Sequence, residues 1–156
     1  MKFFISTIPF GSTNKAPIEA ISKEGHSFEI NSLGRKITEE ELIKKLHDID
    51  VLVAGTEPIT KKVLESAKNL KIISRVGIGI DNVDLDQAEK QNIKIFNTPE
   101  GPSMAVAEYT LGLMLSMTRH IHLSARELSK GVWDKKMGHG FESLSVGLIG
   151  FGRIGK

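Results

Sequence analysis

The residues Gly150-Phe151-Gly152-Arg153-Ile154-Gly155-Lys156 fit two phosphate-binding patterns at once. As G-x-G-x-x-G they match the dinucleotide fingerprint. There the first glycine makes a tight turn, the second lets the backbone approach a pyrophosphate, and the third permits close helix packing. As G-x-x-x-x-G-K they match a P-loop up to its final Ser or Thr, the next position along. The bland reading is a flexible glycine-rich tail. A second constellation is Arg75-Val76-Gly77-Ile78-Gly79-Ile80-Asp81-Asn82-Val83-Asp84, which follows a β-rich run and precedes a helical period. Two glycines at a strand's carboxyl end free the backbone to take positive φ and to aim successive N–H groups at one point, a nest suited to a carboxylate. The plain alternative is a βα turn that needs glycine for steric reasons, with Asp81 or Asp84 capping the helix.

Other chemistry is thinly represented. Cysteine is absent, which removes thiolate and disulfide chemistry and suits a reducing compartment. His120 and His122 are two apart, on different faces of a helix, so they cannot share one metal from it. His26 and His47 read as solvated element ends, and His139 lies in a glycine-rich loop without an acidic neighbour. The 21 basic and 19 acidic residues are spread along the chain, leaving no polybasic face for nucleic acid or a membrane. Met1 to Phe10 lacks the features of a signal peptide, and the apolar stretch Met104 to Met117 is too short to span a bilayer, so a cytoplasmic address is the default expectation.

The elements that must position these residues alternate. β-rich runs at Lys2–Ile8, Ser27–Ile30, Asp50–Ala54, Lys71–Val76 and Lys94–Phe96 are separated by helical periods. The first helix, about Ile18–Glu24, is closed by Gly25. The second opens on a capping box, Thr38 to Glu41, and places Leu42, Ile43 and Leu46 on one face. The third starts at Thr60 and buries Val63, Leu64, Ala67 and Leu70. The fourth, about Leu85–Gln91, has Asp84 as N-cap. Strands separated by helices of this length pair in parallel through right-handed crossovers. The expected result is a doubly wound α/β domain with its functional loops at the carboxyl ends of the strands.

After the breaker cluster Pro99-Glu100-Gly101-Pro102 the rhythm changes. Ser103 is placed to cap a helix to about Arg119 that is apolar nearly all round and therefore needs cover on more than one side. A more polar helix, Ser124–Lys130, ends at Gly131. A loop with the single Trp133 follows, and then a short apolar strand, Ser145–Ile149.

Taken together, Arg75 to Asp84, Asn97-Thr98-Pro99, Ala105-Val106-Ala107-Glu108, Gly131-Val132-Trp133 and Val146 to Gly155 resemble, in order and spacing, the D-isomer-specific 2-hydroxyacid dehydrogenases, most of all the phosphoglycerate dehydrogenase-like branch. The resemblance is strong from about Leu52 to Lys156 and only architectural before that. It favours a dinucleotide fold over a P-loop. It implies that residues 1–100 form the amino-terminal part of a flavodoxin-like substrate domain, and that 101–156 hold linking helices and the first strand of a Rossmann-type domain. Backbone amides around Val76, Gly77 and Ile78 would hold the carboxylate of a small 2-hydroxy or 2-keto acid, with Ile78 also near the cofactor. Val106 would lie by the nicotinamide. Gly150, Gly152, Arg153, Ile154 and Gly155 would meet the pyrophosphate of NAD, the choice between NAD and NADP staying open. The 103–119 helix would join a homodimer. Asp81, Asn82 and Asp84 are read as structural.

Two departures qualify this. Phosphoglycerate-handling members usually carry a basic residue in the loop after the third strand, where this chain has Val53-Ala54-Gly55-Thr56-Glu57; that weighs against 3-phosphoglycerate as substrate. The family's catalytic Arg, Glu and His follow the fingerprint, so the resemblance places none of them in residues 1–156, and these residues alone are expected to be inactive and to bind NAD weakly. The alternatives are a non-enzymatic binding module of the same fold and a truncated P-loop nucleotide hydrolase.

Overall fold

Five short runs rich in branched and aromatic residues form one sheet in the computed structural model, which describes residues 1–156. The strands are β1 (Lys2–Ile5), β2 (Ser27–Ile30), β3 (Val51–Ala54), β4 (Ile72–Arg75) and β5 (Lys94–Asn97), in the order β2-β1-β3-β4-β5 with every neighbour parallel. Parallel neighbours require a crossover, and the helices α1 (Ala16–Lys23), α2 (Glu39–Lys45), α3 (Lys61–Ser66) and α4 (Leu85–Lys90) supply it. The chain runs outward from β1 to β2, then returns past β1 to β3. The strand order therefore reverses between β1 and β3, the place where open α/β sheets form a crevice beyond their carboxyl ends.

The register sets the core. Phe4 pairs with Leu52, Leu52 with Ile73, and Ile73 with Ile95, giving one apolar row across four strands. Leu42, Leu46, Val63, Leu64 and Ala88 from the helices pack on that row, and all four residues of β3 are buried, as a central parallel strand covered on both faces demands. Ala67 and Leu70 are buried as expected, although α3 ends before them at Ser66.

Each connection is closed by local chemistry. Gly25, at φ +72°, donates its N–H to the Ser22 carbonyl while His26 donates to Ile21, which completes a Schellman end to α1. Thr38 and Glu41 form the full capping box of α2. Thr60 accepts from the Val63 N–H at 3.4 Å, and Asp84 from the Gln87 N–H at 2.9 Å.

Met1–Gly101 and Pro102–Lys156 are two compact units. The second contains α5 (Ser103–Thr118) and α6 (Ile121–Leu128). Pro102, not Ser103, is the N-cap of α5; Ser103 takes the first helical position, and its Oγ is buried without a partner. No residue of α5 is buried. α6 starts at Ile121, three residues earlier than the sequence suggests, because His120 adopts a left-handed conformation at φ +53° and restarts the helix there. The expected strand at Ser145–Ile149 does not form. A strand exists only by pairing, and residues 102–156 contain no other strand to pair with. No helix is long and apolar enough to cross a membrane.

The pin between β2 and α2 is electrostatic. The guanidinium of Arg35 grips Glu41 through two hydrogen bonds of 2.7 and 2.9 Å, and Glu41 also accepts from the Thr38 N–H. The hydrogen bond from Arg35, followed by that from Thr38, holds the Glu41 carboxyl down to about 2 from an ordinary 4.5. A depressed carboxyl contributes its stability in full above the ordinary value and loses it as pH falls through the folded value. Asp50, lowered by Lys71, and Asp48, lowered by Lys2, act in the same sense. The urea midpoint is therefore expected to drop between pH 4.5 and pH 2, and to drop less steeply in Glu41→Gln, whose midpoint at pH 7 is already reduced.

Candidate functional site

β4 ends in Arg75, whose side chain is almost wholly buried and folds back over the turn that follows. Its Nη1 donates to the Val76 carbonyl, and its Nε to Asn82 Oδ1 at 3.3 Å. Gly77 sits under that guanidinium at φ +149°. A Cβ there would lie 2.9 Å from Arg75 Cζ and closer still to Nη1, so position 77 requires glycine for both conformation and space. The turn is held from the other side by β5. Thr98 Oγ1 accepts from the Gly77 N–H at 2.9 Å, the Thr98 N–H donates to the Gly77 carbonyl at 2.9 Å, and Asn97 Nδ2 donates to the Ile78 carbonyl at 2.8 Å.

This bonding decides which amides remain available. The Val76 N–H donates to the Ala54 carbonyl at 2.9 Å, continuing the β3–β4 ladder, and the Gly77 N–H is shared between Thr98 and the Arg75 carbonyl. The N–H groups of Ile78 and Gly79 have no acceptor within the protein. They form the open end of the turn, where the Val76 and Ile78 side chains are exposed. Neighbouring free N–H groups at a strand's carboxyl end can hold an anion. Asn82 and Asp84 are structural: Asn82 Nδ2 donates to the Glu57 carbonyl at 2.7 Å and the Gly55 carbonyl at 3.3 Å, and Asp84 caps α4.

Beside the turn, at the carboxyl ends of β1, β3 and β4, lies a crevice of about 200 Å³. Ser6, Thr7 and Ile8 come from the end of β1, Gly55, Thr56 and Glu57 from the end of β3, Val76 from the end of β4, and Lys36 from the β2–α2 loop. Glu57 is 2% exposed. Its carboxyl accepts the Gly55 N–H on both oxygens, at 3.0 and 3.1 Å, and the Ser6 hydroxyl on Oε1. A buried carboxyl without a cation survives only with such donors.

In the second unit, Val106 lies in the first turns of α5, half exposed, its N–H bonded to the Pro102 carbonyl at 2.9 Å. The 150–156 segment forms a turn without regular structure, closed by the Lys156 N–H on the Gly152 carbonyl at 3.1 Å. Gly150 has φ +91°, and a Cβ on Gly155 would meet the Gly150 carbonyl oxygen at 2.6 Å. Nothing lies within 4 Å of a Cβ on Gly152. The first glycine turns, the second leaves its backbone open and the third allows a close approach within the turn itself. Arg153 and Ile154 lie within the same turn.

The structure adds residues that have no assigned role in the sequence reading. Asn97 and Thr98 brace the amide turn, and their signal is the Asn97-Thr98-Pro99 motif that carries part of the resemblance. Lys36 carried no signal, because only the crossover brings its loop beside β3. No histidine lines the crevice; His26 stacks on Phe3 and His122 contacts Ser116.

Residues 7–145 match the catalytic domain of the D-isomer specific 2-hydroxyacid dehydrogenases. The chain is 44% identical over 124 residues to a D-3-phosphoglycerate dehydrogenase of Methanocaldococcus jannaschii, a match covering 77% of this chain and 24% of that protein. It is 42% identical over 131 residues to a hydroxypyruvate reductase of Thermotoga maritima, covering 82% and 43%. Among solved structures, the NAD+-bound 3-phosphoglycerate dehydrogenase of Entamoeba histolytica superposes with a TM-score of 0.78 at 27% identity, covering 99% of this chain and 48% of that one. The chain thus spans a quarter to a half of the proteins it matches.

Thr98→Val keeps the shape of the brace and removes the acceptor of the Gly77 N–H. The expected result is a stability loss of about 1 kcal/mol, the net worth of one hydrogen bond. Faster exchange at the Gly77 amide than at Val76, read by NMR hydrogen exchange, locates the effect.

Proposed function

Because this chain belongs to the D-isomer specific 2-hydroxyacid dehydrogenase family, we propose that it carries the substrate floor and the pyrophosphate turn of an NAD-dependent enzyme that interconverts a small D-2-hydroxy acid and its 2-keto acid. The observation that carries this reading is the turn Val76–Gly77–Ile78, where the fixed backbone leaves the Ile78 and Gly79 N–H groups free beside a crevice sized for a small acid. A substrate carboxylate accepts from those amides, and the brace from Asn97 and Thr98 keeps them aimed without reorganisation. Fixing the carboxylate fixes C2, the carbon that loses or gains a hydride, so the turn works by positioning. NAD, when bound, supplies the hydride acceptor. In the second unit, Gly150, Gly152 and Gly155 with Arg153 and Ile154 would hold its pyrophosphate, and Val106 would lie by its nicotinamide.

The same reading gives the exposed apolar surface of α5 a use. Met104, Tyr109, Leu111 and Met117 are each more than half exposed, and burying them against a second copy is favourable by roughly 25 cal/mol for each Å² removed from water. We assign α5 to a homodimer contact. Sedimentation of residues 1–156 is expected to show a dimer or larger species, and Leu111→Glu to shift it toward monomer; a monomeric parent chain would count against the assignment.

Activity tests the main reading. The gene product carrying this chain is expected to oxidise at least one of D-lactate, D-glycerate and 3-phospho-D-glycerate, followed by the absorbance of reduced nicotinamide. Residues 1–156 alone are expected not to. No turnover of any of these by the gene product, and none of the matching keto acids in reverse, would remove the proposal.

A further inference from the structure

Helix α5 carries a single charged residue, Glu108, and Arg119 closes the helix as its C-cap, with its N–H still bonded to the Leu115 carbonyl at 3.0 Å. The spacing between the two is about three turns, so their side chains leave the axis within about 20° of each other and stand about 16 Å apart along it. That distance is far beyond the reach of an ion pair within one helix. The ion pairs of this unit join Arg126 and Lys130 to Glu127, and Lys136 to Asp134. Glu108 and Arg119 belong to none of them, and both are exposed.

Between the two charges the same stripe of the helix is apolar and uncovered. Leu111 and Leu115 lie on it at 55% and 44% exposure. Gly112 lies between them, and nothing stands within 4 Å of a Cβ built there. A glycine inside a helix weakens it, and what it offers in return is a close approach by a second backbone.

An apolar stripe that ends in a carboxylate on one side and a guanidinium on the other is complementary to itself, provided the two copies run in opposite directions. A two-fold axis between Leu113 and Met114 sets Glu108 of each copy against Arg119 of the other, since in such an interface every contact occurs twice. The same axis seats Leu115 of each copy over Gly112 of the other. Helices packed side by side stand about 8–10 Å apart, a gap that Glu and Arg side chains span. A parallel pair would instead oppose Glu108 to Glu108 and Arg119 to Arg119. Sliding an antiparallel pair by one turn would break both ion pairs and lift Leu115 off Gly112.

We propose that α5 pairs antiparallel with a second copy of this chain, in the register that joins Glu108 of each copy to Arg119 of the other. This rests on the assignment of α5 to a homodimer contact and adds its direction, its register and the residues that set them. The apolar stripe supplies the drive to associate, and the charges select the arrangement, because like charges brought together in the wrong one are costly.

The test is sedimentation equilibrium of the chain at low salt. Glu108→Arg alone and Arg119→Glu alone are each expected to weaken the parent dimer at least about tenfold, because each variant opposes like charges to its own copy. The two variants mixed in equal amounts are expected to dimerise within about threefold of the parent, since their stripes are again complementary. That recovery also shows that both variants fold. A monomeric parent overturns the homodimer assignment and the pairing together. A parent dimer that either reversal leaves as tight as before, as a parallel arrangement requires for Glu108→Arg, overturns the pairing and leaves the dimer standing. So do two variants that stay monomeric when mixed. Dimers of the gene product carrying this chain that ignore both reversals assign the stripe to the rest of that product and likewise overturn the pairing.

Discussion

Asn82 places its side-chain amide where three chain segments would otherwise drift apart. Two of its N–H···O contacts reach backward by more than twenty residues to Gly55 and Glu57, and its oxygen takes the Arg75 Nε. The adjoining backbone repeats the join, with the Ile59 N–H on the Asn82 carbonyl at 2.8 Å and the Asp84 N–H on the Ile59 carbonyl at 2.9 Å. The parallel sheet delivers the ends of β3 and β4 to the same edge, and Asn82 fixes their loops against each other. Both the amide turn and the crevice wall inherit their geometry from that tie.

It also arranges charge. Arg75 and Glu57 are the buried charged residues of the chain, and they make no ion pair with each other. The guanidinium is satisfied by a backbone carbonyl and an amide oxygen, the carboxyl by backbone N–H groups and a hydroxyl. Desolvating two charges to pair them often gains little, whereas dipoles held by the fold satisfy each group in place. The carboxyl ends of the strands can therefore carry opposite charges a loop apart without closing the crevice between them.

What the sequence reveals of this protein follows the range of each interaction. Thr38, Thr60, Asp84 and Gly25 close their helices as local patterns say, because a cap and its partner lie within four residues. The parallel order was legible too, since crossover length leaves little choice. Glu57 read as an acidic loop residue and proved to be a buried clamp, because its partner Ser6 is fifty-one residues away. Ser145–Ile149 has the composition of a strand and lacks the neighbour that would make it one. Helix α5 shows the same limit in packing: its sequence states a need for cover without naming what covers it.

The close approach of Arg75 to Gly77 bears on how this site can change over generations. A side chain at 77 meets both the guanidinium and a backbone held at φ +149°; losing the guanidinium removes only the first obstacle and strips the Val76 carbonyl and Asn82 of a donor. Glycine at 77 is therefore demanded by the backbone whatever stands at 75, while the folded-back Arg75 depends on Gly77 for its room.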